Sequence, residues 1–433
     1  MALLALLVTS APGGAKRYRS RTIKVAPGVT HTIIRDPRGP YAIHVVSARL
    51  DKRSTFDVEL AQDQLPGFET TSSMARRRSA IVAINGDYAR ESGRPVMAFA
   101  EDGRLIQTPL VWGRNFAVNE SETRTFVGHP HVSAWATEPD SGVSYEIDTV
   151  NDGMHSWDKL AAFTAEGGRE EKPPKYACSS RLFPTERPRS NYERFGLEAN
   201  YYVDETVCQP QRIRPNGGTI VSTPMGGPSR DQVAGFVPGD QVTLGWSLGW
   251  GDVFDTIGGN PTLVEQGRIS VEQENDPFFL RHPRTGVGST PDGRVLMVTV
   301  DGRQPGYSVG MTPRQFAELF ISLGADYALN LDGGGSTTMT IRGRIVNRPS
   351  DGYQRAVSSA LLLLPGPDGG EAGPEQQPTP AATPTLPPSG PSTAWEEIVT
   401  DPASTGGMAS SLMREGLRLP HYLEKAAQRF RRN

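Results

Sequence analysis

Apolar positions in this chain repeat with two periods, and the two alternate along the sequence. Arg294-Val-Leu-Met-Val-Thr-Val300 is apolar at nearly every position, the pattern of a strand buried on both faces. Thr312 then offers an N-cap and Pro313 a first helical residue. Phe316, Leu319, Phe320 and Leu323 follow at i, i+3, i+4 and i+7, and Gly324 stops the helix they predict. Tyr327-Ala-Leu-Asn-Leu331 reads as a second strand, so the three elements predict a right-handed parallel β-α-β crossover. Tyr41 to Leu50, a short helix near Thr71 to Arg78, and Ala80 to Ile84 repeat the pattern less clearly. The expected fold is therefore mixed α/β, or α+β. It has a central mixed sheet with β-α-β units, helices packed on it, and a β-rich insertion at about 130–215.

This reading has a positional consequence. Strand 295–300 ends in Asp301-Gly302, strand 327–331 in Asp332-Gly-Gly-Gly335, and strand 80–84 in Asn85-Gly86-Asp87. Parallel strands of one sheet end on one edge, where open α/β sheets bind ligands. Asp-Gly and Asn-Gly are also common turn dipeptides, but three at matched strand ends suggest a shared site.

Outside the folded stretch, 22–364, the pattern changes. Residues 1–21 carry Ala2-Leu-Leu-Ala-Leu-Leu-Val8, which reads as part of a signal-peptide apolar core or as an ordinary first strand. Residues 365–404 begin with a Pro-rich linker, and 405–433 read as a short basic helical tail suited to peripheral envelope contact. No apolar run reaches the roughly 18 residues a transmembrane helix needs.

Charge narrows the function. With 45 Lys+Arg against 48 Asp+Glu the net charge is −3, which argues against a dedicated nucleic-acid binder. Cys178 and Cys208 are the only cysteines. Two sulfurs cannot make a four-ligand zinc site alone. In an exported protein they would form one disulfide; two free buried thiols is the other reading. No metal-ligand cluster is legible and no cofactor is expected, although the Asp-rich turns leave Ca²⁺ held by oxygen ligands open.

The chemistry sits in five stretches. Asn330-Leu-Asp-Gly-Gly-Gly-Ser-Thr-Thr338 lacks the Gly-Lys-Ser/Thr of a P-loop, yet its turn can present backbone N–H groups to an anion. Arg281-His-Pro-Arg-Thr-Gly-Val-Gly288 reads as a tight turn that fixes Arg284 for phosphate, with His282 beside it. Asn85-Gly-Asp-Tyr88, Ile257-Gly-Gly-Asn-Pro-Thr-Leu-Val264, and Val300-Asp-Gly-Arg303 with Gly310-Met-Thr312 complete the set. In order and spacing, over roughly residues 40–364, these stretches resemble the phosphodiester glycosidase family. Two positions depart from the family's usual pattern: Asp87 stands where a second Gly is common, and Asn260 where a third Gly is.

The resemblance implies hydrolysis of a sugar-1-phosphodiester at the anomeric C–O bond, in a glycan or glycoconjugate. The phosphate would lie on Arg284, the Gly333, Gly334 and Gly335 backbone and Ser336. Asp332 and Asp301 are the candidates for nucleophile or base, with Asp87 third. Asn85, Gly86, Asn330 and Gly302 would line the sugar, and Thr285 and Thr337 would orient the phosphate. The expected protein is a secreted or envelope-facing hydrolase with a glycan or glycosyl-phosphate partner. The alternative is a non-catalytic carbohydrate-binding or cell-envelope structural module on the same fold.

Overall fold

The structure is a computed structural model. It describes residues 19–366, apart from 51–53, 112, 139, 153–158, 168–176, 186–198, 224–228, 252 and 273. The apolar N-terminal run, nearly all of the Pro-rich linker and the basic tail lie outside the described residues.

An eight-stranded sheet forms one layer. Its order is Arg19–Ala26, Val29–Asp36, Tyr41–Arg49, Arg294–Val300, Arg284–Ser289, Tyr327–Asn330, Thr262–Glu265, Arg268–Ile269. Strand Arg294–Val300 is buried on both faces, as its composition dictates. Val295 and Met297 point to one side, with Val46, Val287 and Leu329. Leu296, Val298 and Val300 point to the other, against Phe316, Leu319 and Phe320 of helix Pro313–Ser322. That helix starts as its sequence demands. Gln315 N–H donates to the Thr312 hydroxyl and Thr312 N–H to the Gln315 carbonyl, both at 3.2 Å, forming a capping box. Each of its large apolar side chains contributes about 1.5–3 kcal/mol by leaving water.

Two five-stranded sheets cover the inner face. One runs Arg344–Ile345, Met339–Ile341, Val82–Asn85, Ser359–Pro365, Ser54–Leu60. The other runs Thr125–Gly128, Arg114–Asn119, Val253–Gly259, Phe99–Glu101, Arg104–Gln107. Val58, Ile84, Leu361, Phe99, Phe116 and Ile257 from both sheets meet Val46, Met297 and Leu329 in one core. Helix Thr71–Arg77 closes the outside, with Met74 and Ala75 on Ala83, Ala360 and Leu362. A closed seven-stranded barrel occupies Ser133 to Ser247, and its core continues into Ala100, Leu105, Ala117 and Val253 of the second five-stranded sheet. The β-rich elaboration read at about 130–215 falls on this barrel, whose last two strands, Thr219–Ser222 and Gln241–Ser247, lie beyond that boundary. Cys178 and Cys208 are joined by a disulfide. Among the described residues, no helix is long and apolar enough to cross a membrane.

The expected mixed α/β or α+β class is therefore corrected to a mostly β protein. The described residues hold three α-helices, of seven, seven and ten residues, against many strands. The physical reason lies at Arg284–Ser289, which forms a central strand and not a tight turn. It pairs antiparallel with both Arg294–Val300 and Tyr327–Asn330, separating the two strands expected to be neighbours. Its glycines are steric: a methyl on Gly286 would stand 2.8 Å from the Phe316 ring, and one on Gly288 3.0 Å from Phe320. Strand Val82–Asn85 lies in a different sheet from the other two. Two of the three turns meet across two sheets: Asp332 N–H donates to Gly86 O at 3.1 Å.

Candidate active site

Two of the three turns, at Asn85 and Asp332, meet in a polar junction. Asn85 is fully buried. Its Nδ2 donates to Asp332 O at 2.6 Å, and its Oδ1 accepts from the Thr285 hydroxyl at 2.8 Å and Thr338 N–H at 3.1 Å. Asn330 Nδ2 donates to the Tyr88 hydroxyl at 2.8 Å and Asn260 O at 2.9 Å. The side chains of Asn85, Thr285 and Asn330 thus have protein partners that hold the turns in register. Gly86 is packed just as tightly, since a methyl there would lie 2.6 Å from Ser359 Oγ.

Above this junction is a cavity of about 650 Å³, lined by Asp87, Tyr88, Asp332 and Ser336 together with Phe68, Arg90, Asp351, Tyr353 and Arg355. No barrel residue lines it among the described residues. Four carboxylates line that space, Asp87, Glu91, Asp332 and Asp351. Asp87 and Asp332 are displaced from the usual range. Enclosure pushes Asp87 up to about 7 and the charge of Asp332 adds to this, against the Met97, Tyr88 and Val96 amides. Asp87 Oδ2 accepts from Met97 N–H at 2.7 Å and Val96 N–H at 3.0 Å, while its Oδ1 is buried with no hydrogen-bond partner. Enclosure pushes Asp332 up to about 6. The Ser336 hydroxyl, the Gly333 amide and the Arg355 and Arg303 guanidinium groups limit the rise.

The glycine run Gly333–Gly335 forms a tight turn that enters the short 3₁₀ segment Gly334–Ser336. Gly334 has φ +60°, and a methyl there would stand 3.2 Å from Arg303 Nη2. A methyl on Gly335 would collide with Arg355 and Asp351, which pair at 2.7 Å. The turn is thus flanked by two arginines. His282 Nδ1 accepts from Arg303 Nη2 at 3.3 Å, and its Nε2 donates to Pro277 O at 2.9 Å. Thr337 is buried, and its Oγ1 has no hydrogen-bond partner.

Two expected catalytic residues lie beside the cavity and not on its wall. Arg284 is fully buried. Its Nε donates to Met311 O at 3.0 Å and its Nη2 to Phe278 O at 2.5 Å and Leu280 O at 2.9 Å, leaving Nη1 outside that set. Desolvation pulls it down to about 10. Asp301 accepts from Asn347 Nδ2 and the Tyr307 hydroxyl, each at 3.0 Å, and from Arg348 N–H. Both its oxygens are satisfied. Gly302 packs against Pro283, 2.6 Å from where a methyl would sit. Sequence reasoning missed Arg303, Arg355, Asp351, Tyr353 and Phe68. Asp351-Gly352 repeats the Asp-Gly signal of the other turns, but no apolar strand precedes it.

The eight-stranded sheet and its partners recur in solved structures. A hypothetical protein from Synechocystis superposes at a TM-score of 0.60 and 20% identity, over 81% of this chain and 64% of its own. A candidate exported protein from Burkholderia pseudomallei K96243 superposes at 0.54 and 21% identity, over 76% of this chain and 74% of its own. Both likenesses concern the fold. The SPbeta prophage-derived uncharacterized protein YomE of Bacillus subtilis (strain 168) is 40% identical over 84 residues, 19% of this chain. The chain matches 13% of that relative's length and under two thirds of the Synechocystis chain. Residues 193–364, which hold Arg284, Asp301, Arg303, Asp332 and Arg355, match the model of the phosphodiester glycosidase family, the family whose motifs the sequence carries.

Proposed function

We propose that this protein hydrolyses a sugar-1-phosphodiester by cleaving the bond between the anomeric carbon and the phosphate oxygen. The observation that carries the reading is the Asp87–Asp332 pair facing one cavity beside an arginine-flanked glycine turn, in a chain matching this family. Water adds its oxygen to the anomeric carbon, the C–O bond breaks, and its electrons leave with the phosphomonoester. The P–O bonds stay intact. A phosphomonoester leaves readily once its charge is balanced, so the site needs cations more than a strong acid. Arg303 and Arg355 supply them. Asp332 takes the ionised role against the positive charge that develops on the sugar. Asp87, with the higher displacement, carries the proton. Asn85, Thr285 and Asn330 act as positioning residues that fix the Asn85 and Asp332 turns, and Arg284 and Asp301 as positioning residues beside them.

Two exposed aromatics suit a glycan. Tyr353 is 68% exposed and Phe68 41% exposed, and both line the cavity. An aromatic face in water covers the apolar face of a sugar ring. Tyr353→Ala and Phe68→Ala are each expected to raise KM by about 3–10-fold with kcat nearly unchanged, the size of one aromatic contact. Steady-state kinetics on a glycosyl phosphodiester measures this. A fall in kcat at constant KM would assign these rings another task.

The disulfide supports a location outside the reducing cytoplasm. A substrate panel tests the function itself. Sugar-1-phosphodiesters should be turned over, while an aryl glycoside without phosphate and a diaryl phosphate without sugar should not. Sugar binding with no turnover of any panel member would support the non-catalytic carbohydrate-binding alternative.

A further inference from the structure

A second group of acidic side chains lies away from the cavity and shares no residue with it. Asp57 comes from strand Ser54–Leu60, Asp102 from the turn after Phe99–Glu101, and Asp255 from strand Val253–Gly259. One carboxylate oxygen from each lies within 4.8 Å of the other two. Asp57 and Asp255 are each only 4% exposed. Asp57 Oδ2 accepts from Arg78 Nη2 at 2.7 Å, whereas its Oδ1 is buried with no hydrogen-bond partner. Asp255 Oδ1 accepts from Asp102 N–H at 2.9 Å, and no cationic side chain pairs with Asp255 among the described residues. Glu122 stands near enough to act on both Asp57 and Asp255, and its Oε2 is also buried without a partner.

The local charge does not balance. Asp57 and Glu59 pair with Arg78 at 2.7 and 3.1 Å, and the enclosed Glu101 and Asp102 also draw on its charge. Arg104, the next cation, is taken by Glu166 at 2.5 Å. Enclosed carboxylates this close need a counter-charge, either shared protons or a cation. The donor set is all hard oxygen, and its span suits one ion. At Ca–O distances of about 2.3–2.6 Å, ligands on opposite sides of Ca²⁺ lie about 4.6–5.2 Å apart. Mg²⁺ dehydrates reluctantly and seldom uses an all-protein cage.

We propose that Asp57, Asp102 and Asp255, with Glu122 at the rim, bind one Ca²⁺ that ties the two five-stranded sheets together. Asp57 belongs to one sheet and Asp102 and Asp255 border the other. Strand Val253–Gly259 runs from this site to Gly258, where a methyl would collide with Asp87, so the ion steadies the floor of the cavity. The proposal does not rest on what the cavity does.

The test uses the full chain, stripped with chelator and then titrated with Ca²⁺ or Mg²⁺ alone. Calcium at about 100 times its dissociation constant should raise the melting temperature by roughly 5 °C, and magnesium should raise it less. About one calcium per chain should remain after desalting from excess calcium. Asp255→Asn keeps an oxygen for Asp102 N–H but loses the charge, and should abolish the calcium shift. Should that variant not fold, Glu122→Gln, in an exposed turn, should weaken the response. A wild-type melting temperature indifferent to calcium up to about 10 mM, beyond the weakest protein sites, would overturn the proposal. So would a calcium response unchanged in these variants. Asp255→Asn more stable than a calcium-insensitive wild type would assign the cluster to shared protons.

Discussion

Asp332→Asn is expected to lower kcat/KM on a sugar-1-phosphodiester by about 10³-fold or more, roughly 4 kcal/mol of transition-state stabilisation, while the protein stays folded. The exchange keeps the side chain's volume and its oxygen for Gly333 N–H, which now donates to Asp332 Oδ1 at 2.8 Å. It removes the negative charge that the developing oxocarbenium requires. Circular dichroism and melting temperature should match wild type within a few degrees. Asp301→Asn makes the informative contrast. Asp301 holds Asn347, Arg348 and Tyr307, so its replacement should lower stability as well as rate. Equal activity in wild type and Asp332→Asn would remove Asp332 from the chemistry.

The second large effect is on pH. The productive state has Asp332 ionised and Asp87 protonated. Asp332 lies at about 6, so activity should rise with pH through about 6 as its proton leaves. Asp87 lies at about 7, so activity should fall above about 7 as the second proton is lost. The profile is then a narrow bell between the two, and its limbs belong to the pair as much as to either residue. Asp87→Asn should cost about 100-fold in kcat and remove the alkaline limb, because the position no longer titrates. An alkaline limb that persists in Asp87→Asn would assign the proton to another group. Asp87 stands where the family pattern often has glycine, so this limb should be particular to this chain.

Of the candidate site residues named from the sequence, Asp87, Asp332 and Ser336 line the cavity, and Arg284 and Asp301 do not. The strand-end turns at Asn85, Asp301 and Asp332 were visible because a buried strand announces itself by unbroken apolar composition and its end by Asp-Gly or Asn-Gly. Two of these turns, at Asn85 and Asp332, meet across two sheets, and not along one edge of a parallel sheet. What misled was Arg284-Thr-Gly-Val-Gly-Ser289. Its glycines look like a phosphate loop, yet they exist because Phe316 and Phe320 press against the strand from the helix. Local pattern cannot show which ring lies across a sheet. Reading that strand as a loop made Arg294–Val300 and Tyr327–Asn330 look like adjacent parallel strands of a mixed sheet, and one good helix, Pro313–Ser322, then suggested an α/β class. The barrel strands, such as Val143-Ser-Tyr-Glu-Ile-Asp-Thr-Val150, do alternate, but their closure depends on pairings far apart in sequence. Arg284 illustrates the same limit. Its charge suggested phosphate, while three main-chain carbonyls claim two of its nitrogens. Arg303 and Arg355, unremarkable in sequence, flank the turn instead.

The most direct measurement is the fate of water oxygen. Hydrolysis of a sugar-1-phosphodiester in ¹⁸O-labelled water, followed by mass spectrometry of both products, reports which bond breaks. Label in the sugar's anomeric hydroxyl and none in the phosphomonoester is the expected result. Label in the phosphate would mean attack at phosphorus, and the carboxylate pair could not then hold the roles assigned to it.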